Sequence, residues 1–235
     1  SLHDAQLQKS LRKFQCKFVP ARRTAIVELD DFEGTREAGR AIRQRVLDDL
    51  DVWLSIFEDN ARARGATVLY AQTPADINAL VLEIAQRHDV AKIIKSKSMV
   101  SEESGLDHAI EAAGLTVVET DLGEYILQLN DYEPPSHIIG PALHKSREEV
   151  ADLFHKRHGK PRKEGIDELC LEAREELRTH YLTADMGISG GNFFVAETGS
   201  VVLVTNEGNA TLTTTLPKVH VAISGIEKVV PTLED

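Results

Sequence analysis

The chain has 235 residues, 42% of them hydrophobic, enough for one large domain or a domain with an appendage. Its 27 Lys and Arg face 38 Asp and Glu, a net charge of −11 that makes nucleic acid and anionic lipid poor partners and confines any anion site to a local basic patch. No apolar run reaches the roughly 18 residues of a membrane span and no signal-peptide pattern opens the chain, so a cytoplasmic setting is expected.

Cys16 and Cys170 stand apart without CxxC spacing and read as isolated thiols rather than as metal ligands or a disulfide. The missing initiator Met, and a closing "VVPTLED" in which Thr232 would cap a helix with no room to form, read as the marks of a fragment.

Leu7, Leu11, Phe14 and Phe18 recur at helical spacing until Pro20, predicting a short amphipathic N-terminal helix. From Thr35 to Arg64 apolar residues return every three or four positions up to Gly65, predicting one long helix whose role is packing. The period then shortens. "ATVLYA" (66–71) predicts a strand, residues 73–88 a helix with Thr73 as cap and Pro74 in its first turn, and "AKIIK" (91–95) a second strand.

A helix over 101–114, a third strand in "LTVVETD" (115–121) and a fourth in "SHIIG" (136–140) follow. Ser146 with Glu149 three residues on forms a capping box for a helix that Gly159 closes, and another helix covers about 167–182. "NFFVAETGSVVLVTNEGN" (192–209) predicts an antiparallel hairpin and "PKVHVAIS" (217–224) a last strand. Alternating strands and helices imply an α/β fold, a mainly parallel sheet flanked by helices. Residues 1–65 are expected to form a helical segment packed on an α/β domain over 66–235.

Such sheets bind ligands beyond the carboxyl ends of their strands, and "KSKS" falls at one. Lys95 and Lys97 could neutralise a carboxylate or phosphate that Ser96 and Ser98 orient; the plainer reading is a solvated loop whose lysines pair with Glu102 and Glu103. Asp121 and Glu124, after the third strand, suit either acid–base work or service as counter-ions. His144 and Lys145 are placed to face a cleft, whereas His137 suits a core. His155 and His158 fit the basic last turn of a helix better than a metal site. The densest polar punctuation surrounds the hairpin: Asn192, then Glu197, Thr198 and Gly199 at its turn, then Asn206, Glu207 and Asn209. Gly187, Gly190 and Gly191 would let backbone approach a ligand, although Gly and Asn are also ordinary turn residues.

Four stretches taken together, "KSKSMVSEESGLDHAIEAAGLTVVETDLGEYILQL", "PPSHIIGPALHKSREEV", "ADMGISGGNFFVAETGSVVLVTNEGN" and "TTTLPKVHVAISGIEKVVPTLED", resemble the lactate-utilisation (LUD) domain family, in particular the iron–sulfur subunits of L-lactate utilisation systems. The likeness runs from about Leu11 to Asp235. It implies the fold shared by ribose-5-phosphate isomerase, glucosamine-6-phosphate deaminase and CoA transferases, and a part in oxidising L-lactate to pyruvate. It implies as partners a small carboxylate and the other subunits of the system, with homo-oligomerisation left open. Two cysteines cannot hold a cluster that needs four thiolates, so the 4Fe-4S clusters are expected in a C-terminal region absent from this chain.

By analogy with the CoA transferase nucleophile, Glu197 in "AETGS" is a candidate catalytic residue; the other candidate is His144, from its placement toward a cleft. The alternatives are a transferase or isomerase acting on a phosphorylated or CoA-linked substrate, and a non-catalytic scaffold for partner subunits.

Overall fold

Short-range chemistry decides most of the helix boundaries in the computed structural model, which describes residues 4–235. Helix α1 (Ala5–Val27) starts at Asp4, whose carboxylate accepts from the Leu7 amide at 2.9 Å. The expected stop at Pro20 does not occur. Proline removes one amide donor and crowds the preceding turn, but strong helix formers such as Ala21, Arg22 and Arg23 carry the helix through, and none of its residues is buried.

The single long helix expected over 35–64 is two, α2 (Phe32–Asp48) and α3 (Leu50–Ala63), broken at Asp49. The acidic run explains the break. Carboxylates at Asp48 and Asp49 oppose the negative end of α2, whereas Asp49 and Asp51 complement the positive end of α3.

No strand forms over 66–71. Leu69 and Tyr70 are exposed, only Val68 tucks against the α3 side, and a β-branched run without a partner ladder stays extended coil. Helix α4 (Pro74–Arg87) begins in a complete capping box between Thr73 and Asp76. Strand β1 (Lys92–Lys95) leads to α5 (Met99–Glu103) and α6 (Leu106–Ala112). These replace the one predicted helix because Gly105 turns the chain through the left-handed region at φ 65°.

Strand β2 (Thr116–Glu119) is followed by α7 (Leu122–Leu129), which the sequence reading missed. The predicted strand at 136–140 is a turn. Proline at 134, 135 and 141 removes ladder donors, Ser136 closes the loop onto the Pro141 carbonyl, and Ile138 and Ile139 are exposed. Helices α8 (Arg147–His158) and α9 (Ile166–Thr183) match expectation, α8 with its Ser146–Glu149 box and left-handed Gly159. Strands β3 (Met186–Ser189), β4 (Phe193–Val195) and β5 (Ser200–Val202), helix α10 (Asn209–Thr215), β6 (Val219–Ala222) and the two-residue β7 (Val229–Val230) complete the chain.

The chain divides into two units. One comprises the N-terminal residues through Phe32 together with Val118–Leu182; the other comprises Glu33–Val117 and Thr183–Asp235. The second unit carries the parallel sheet, in the order β2-β1-β3-β6, with the boundary falling inside β2. Register places Lys95 beside Ile188, Gly187 beside His220 and Ser189 beside Ala222.

Side chains alternate across a strand, so the register sorts the residues by face. Ile93, Met186 and Ile188 pack with Val81 and Ala85 of α4 and with Leu106 and Ile110 of α6, and Lys95 shares that face. Ile94, Gly187, Ser189 and His220 lie on the other face, over which α10 crosses. There Gly187 is required, because a Cβ would clash with the Thr213 carbonyl oxygen.

The same unit holds a small mixed sheet, order β5-β4-β7, with β4 antiparallel to β5 as the predicted hairpin and parallel to β7. It is backed by α3, where Phe57 meets Phe194 at 5.1 Å between ring centroids. The architecture is therefore α/β, as expected. Among the described residues no helix is long and apolar enough to cross a membrane.

Candidate functional site at the carboxyl edge of the parallel sheet

The strand β1 ladder continues one residue past its end, with the Ser96 amide donating to the Ile188 carbonyl at 2.9 Å. Beyond it the loop is built from hydroxyls. Ser98 caps α5 and accepts from the Ser101 amide, Ser101 Oγ donates to the Ser98 carbonyl at 2.7 Å, and Ser104 Oγ donates to the Ser101 carbonyl at 2.9 Å.

Lys95 does not extend into solvent as expected. Its side chain is 1% exposed, with Nζ 2.8 Å from Asp107 Oδ1 and 3.3 Å from Ser101 Oγ. The reason is strand alternation, which aims Lys95 at the face covered by α6, where Asp107 occupies the first turn. Asp107 is thus a counter-ion of Lys95. Half-buried Lys97 follows in the loop beyond the strand end, between Ser96 and Ser98.

Strand β3 ends at the same edge in Ser189-Gly190-Gly191. Ser189 is fully buried; its Oγ donates to the Gly190 carbonyl at 2.9 Å and lies 2.8 Å from His220 Nε2. Desolvation holds the His220 imidazole below its ordinary pKa. Ser224 Oγ donates to the Gly191 carbonyl at 2.9 Å, and a Cβ placed on Gly190 would lie 3.5 Å from Ser98 Oγ, so the ends of β1, β3 and β6 meet here. Sequence reasoning named neither Ser189 nor His220. The available signals were a serine before two glycines and a histidine interrupting "KVHVA", both weak alone.

The hairpin residues are placed differently. Asn192 closes its base, with Oδ1 accepting from the Val204 amide at 2.8 Å and its own amide donating to Val202. Glu197, Thr198 and Gly199 form the far turn, roughly 13 Å of strand beyond Phe193. Glu197 is exposed, its amide bonded to the Pro231 carbonyl, and Gly199 packs on Ala61 of α3. Asn206 and Glu207 lie in an exposed loop, and Asn209 is the first residue of α10.

The remaining candidates belong to the other unit. Asp121 is the N-cap of α7, accepting from the Gly123 and Glu124 amides at 3.1 and 3.3 Å, and Glu124 is buried in that helix's first turn. His144 and Lys145 converge on Glu133, at 3.0 and 2.5 Å. Burial raises the Glu133 carboxyl, but hydrogen bonds from Lys145 and Asn130 outweigh it and hold the group below its ordinary pKa. His155 and His158 diverge: His155 Nδ1 meets the Lys160 carbonyl at 2.6 Å, while His158 is buried between Tyr125 (3.0 Å) and Glu172 (2.8 Å).

The LUD domain family model matches residues 54–235. The chain belongs to the LUD domain family. It is 48% identical over 234 residues to Lactate utilization protein B of Lysinibacillus sphaericus (strain C3-41), across 100% of this chain and 49% of that one. It is 46% identical to Lactate utilization protein B of Geobacillus sp. (strain WCH70), across 100% and 50%, and 44% identical to that of Shouchella clausii (strain KSM-K16), across 100% and 49%. The chain thus spans about half the length of these curated relatives. No solved structure matches it. Its own cysteines do not fit an iron–sulfur cluster: Cys16 on α1 and Cys170 on α9 are both exposed, and two thiols cannot supply four thiolates.

Proposed function

We propose that this LUD domain serves L-lactate utilisation by holding a small carboxylate, lactate or pyruvate, at the carboxyl edge of its parallel sheet. The observation that carries the reading is the convergence of the Lys97 loop, the Gly190-Gly191 backbone and the Ser189–His220 pair at one sheet edge, the place where open parallel sheets bind ligands. The names of relatives at 44 to 48% identity support the process. Lys97 supplies positive charge in a chain of net charge −11, and hydroxyls and glycine backbone give a carboxylate room and donors.

The oxidation itself, with its 4Fe-4S clusters and partner subunits, is assigned in this reading to parts of a cytoplasmic assembly outside these 235 residues. The exposed position of Glu197 gives no support to a transferase role.

The test is calorimetric titration of the protein with L-lactate and with pyruvate. At least one should bind, and Lys97→Met should weaken it about tenfold, or ~1.4 kcal/mol, with the thermal unfolding midpoint unchanged. Absence of binding by both acids overturns the reading.

A further inference from the structure

We propose that His220 recognises a hydroxyl on the bound carboxylate by accepting its hydrogen bond at Nδ1, with Ser189 as the positioning residue that fixes the ring's tautomer, so that the site selects 2-hydroxy over 2-keto acids. This rests on the carboxylate-binding reading above and names its substrate class.

The inference follows from counting protons. A serine hydroxyl has one hydrogen, and in the proposed arrangement it goes to the Gly190 carbonyl, 2.9 Å from Oγ, which can only accept. Toward His220 Nε2, at 2.8 Å, Ser189 Oγ therefore presents a lone pair, and a stable contact requires the ring hydrogen on Nε2. A neutral imidazole carries only one such hydrogen, which leaves Nδ1 as an acceptor. Burial of the ring's surroundings depresses the His220 pKa and keeps this neutral form at pH 7 and above. Nδ1 makes no hydrogen bond to the described chain, and the residue as a whole is exposed.

Position supports access to the edge. His220 lies beside Gly187 in the register, yet it bonds to Ser189, whose own register partner is Ala222. The ring thus leans toward the carboxyl ends of the strands, where Gly190 backs onto Ser98. A C2 hydroxyl can donate to Nδ1. A C2 carbonyl would oppose one lone pair with another, and the hydrogen bond so lost is worth on the order of a tenfold difference in affinity.

Two measurements test this. Long-range 1H–15N NMR of the protein at pH 7.5 should show His220 as the Nε2–H tautomer, and Ser189→Ala should release a mixture; a wild-type Nδ1–H tautomer overturns the inference. Titration should show L-lactate binding roughly tenfold more tightly than pyruvate, with the preference lost in His220→Gln, whose amide keeps a donor near the Nε2 position but has no acceptor in place of Nδ1. Equal binding of the two acids by the wild type, or a preference unchanged in His220→Gln, overturns this inference while leaving the carboxylate reading standing. Absence of binding by either acid overturns both.

Discussion

The Lys95 ammonium lies 2.8 Å from the Asp107 carboxylate, and the two side chains are 1% and 14% exposed. A charge that the sequence reading reserved for a ligand is thus matched inside the unit, by a helix that packs over the strand bearing it. Removing one partner takes the opposite charge from a buried group. Asp107→Ala should cost about 3–5 kcal/mol, whereas Lys95→Met combined with Asp107→Leu should recover most of that loss. Urea unfolding of the two variants measures both, and an Asp107→Ala midpoint equal to wild type would contradict the pairing.

Gly187 carries a second prediction. Thr213 of α10 closes over it so tightly that the main chain leaves no room for a Cβ. Gly187→Ala should therefore lower stability by about 1–3 kcal/mol through forced displacement of α10. Alanine at half-buried Gly39 inside α2, which has open space around it, serves as the control and should leave stability unchanged or raise it by up to about 1 kcal/mol.

Tyr125 predicts an alkaline effect. Burial, reinforced by the Glu176 and Glu172 carboxylates, pushes its phenol up to about 12 from an ordinary 10.0. The folded pKa is raised, so its contribution is fully present below about pH 10 and is lost as pH rises toward 12. Over that window wild type should lose on the order of 2–3 kcal/mol that Tyr125→Phe does not, measured as the difference in unfolding free energy between the two proteins.

Asp185 predicts the opposite limb. Its Oδ2 accepts from the Ala91 and Lys92 amides, both at 2.9 Å, and these bonds hold the carboxyl below its ordinary value. Asp185→Ala should cost about 1–2 kcal/mol at pH 7. A depressed pKa gives stability that is present above the unfolded value and lost as pH falls through the folded one. The gap between variant and wild type should therefore close below about pH 4. A gap independent of pH would show that the carboxylate charge is not what stabilises the β1 entrance.

Neighbours in the chain settle the local features. The Thr73–Asp76 and Ser146–Glu149 boxes, the cap at Gly159 and the hairpin from Phe193 to Val202 each depend on groups a few residues apart, and each forms where expected. Tertiary structure decided which β-branched runs became strands. "ATVLYA" and "SHIIG" have compositions much like that of "AKIIK", but only the last finds a ladder, because a strand exists through the partner beside it. The break between α2 and α3 was legible in the acidic run at Asp48 and Asp49, yet the apolar period runs straight through it and masks it. The site divides the same way. "KSKS" marked the right edge, but the pairing of Lys95 with Asp107 depends on which face α6 covers. Ser189 and His220 are 31 residues apart and meet only because β3 and β6 lie parallel in a register no local signal encodes.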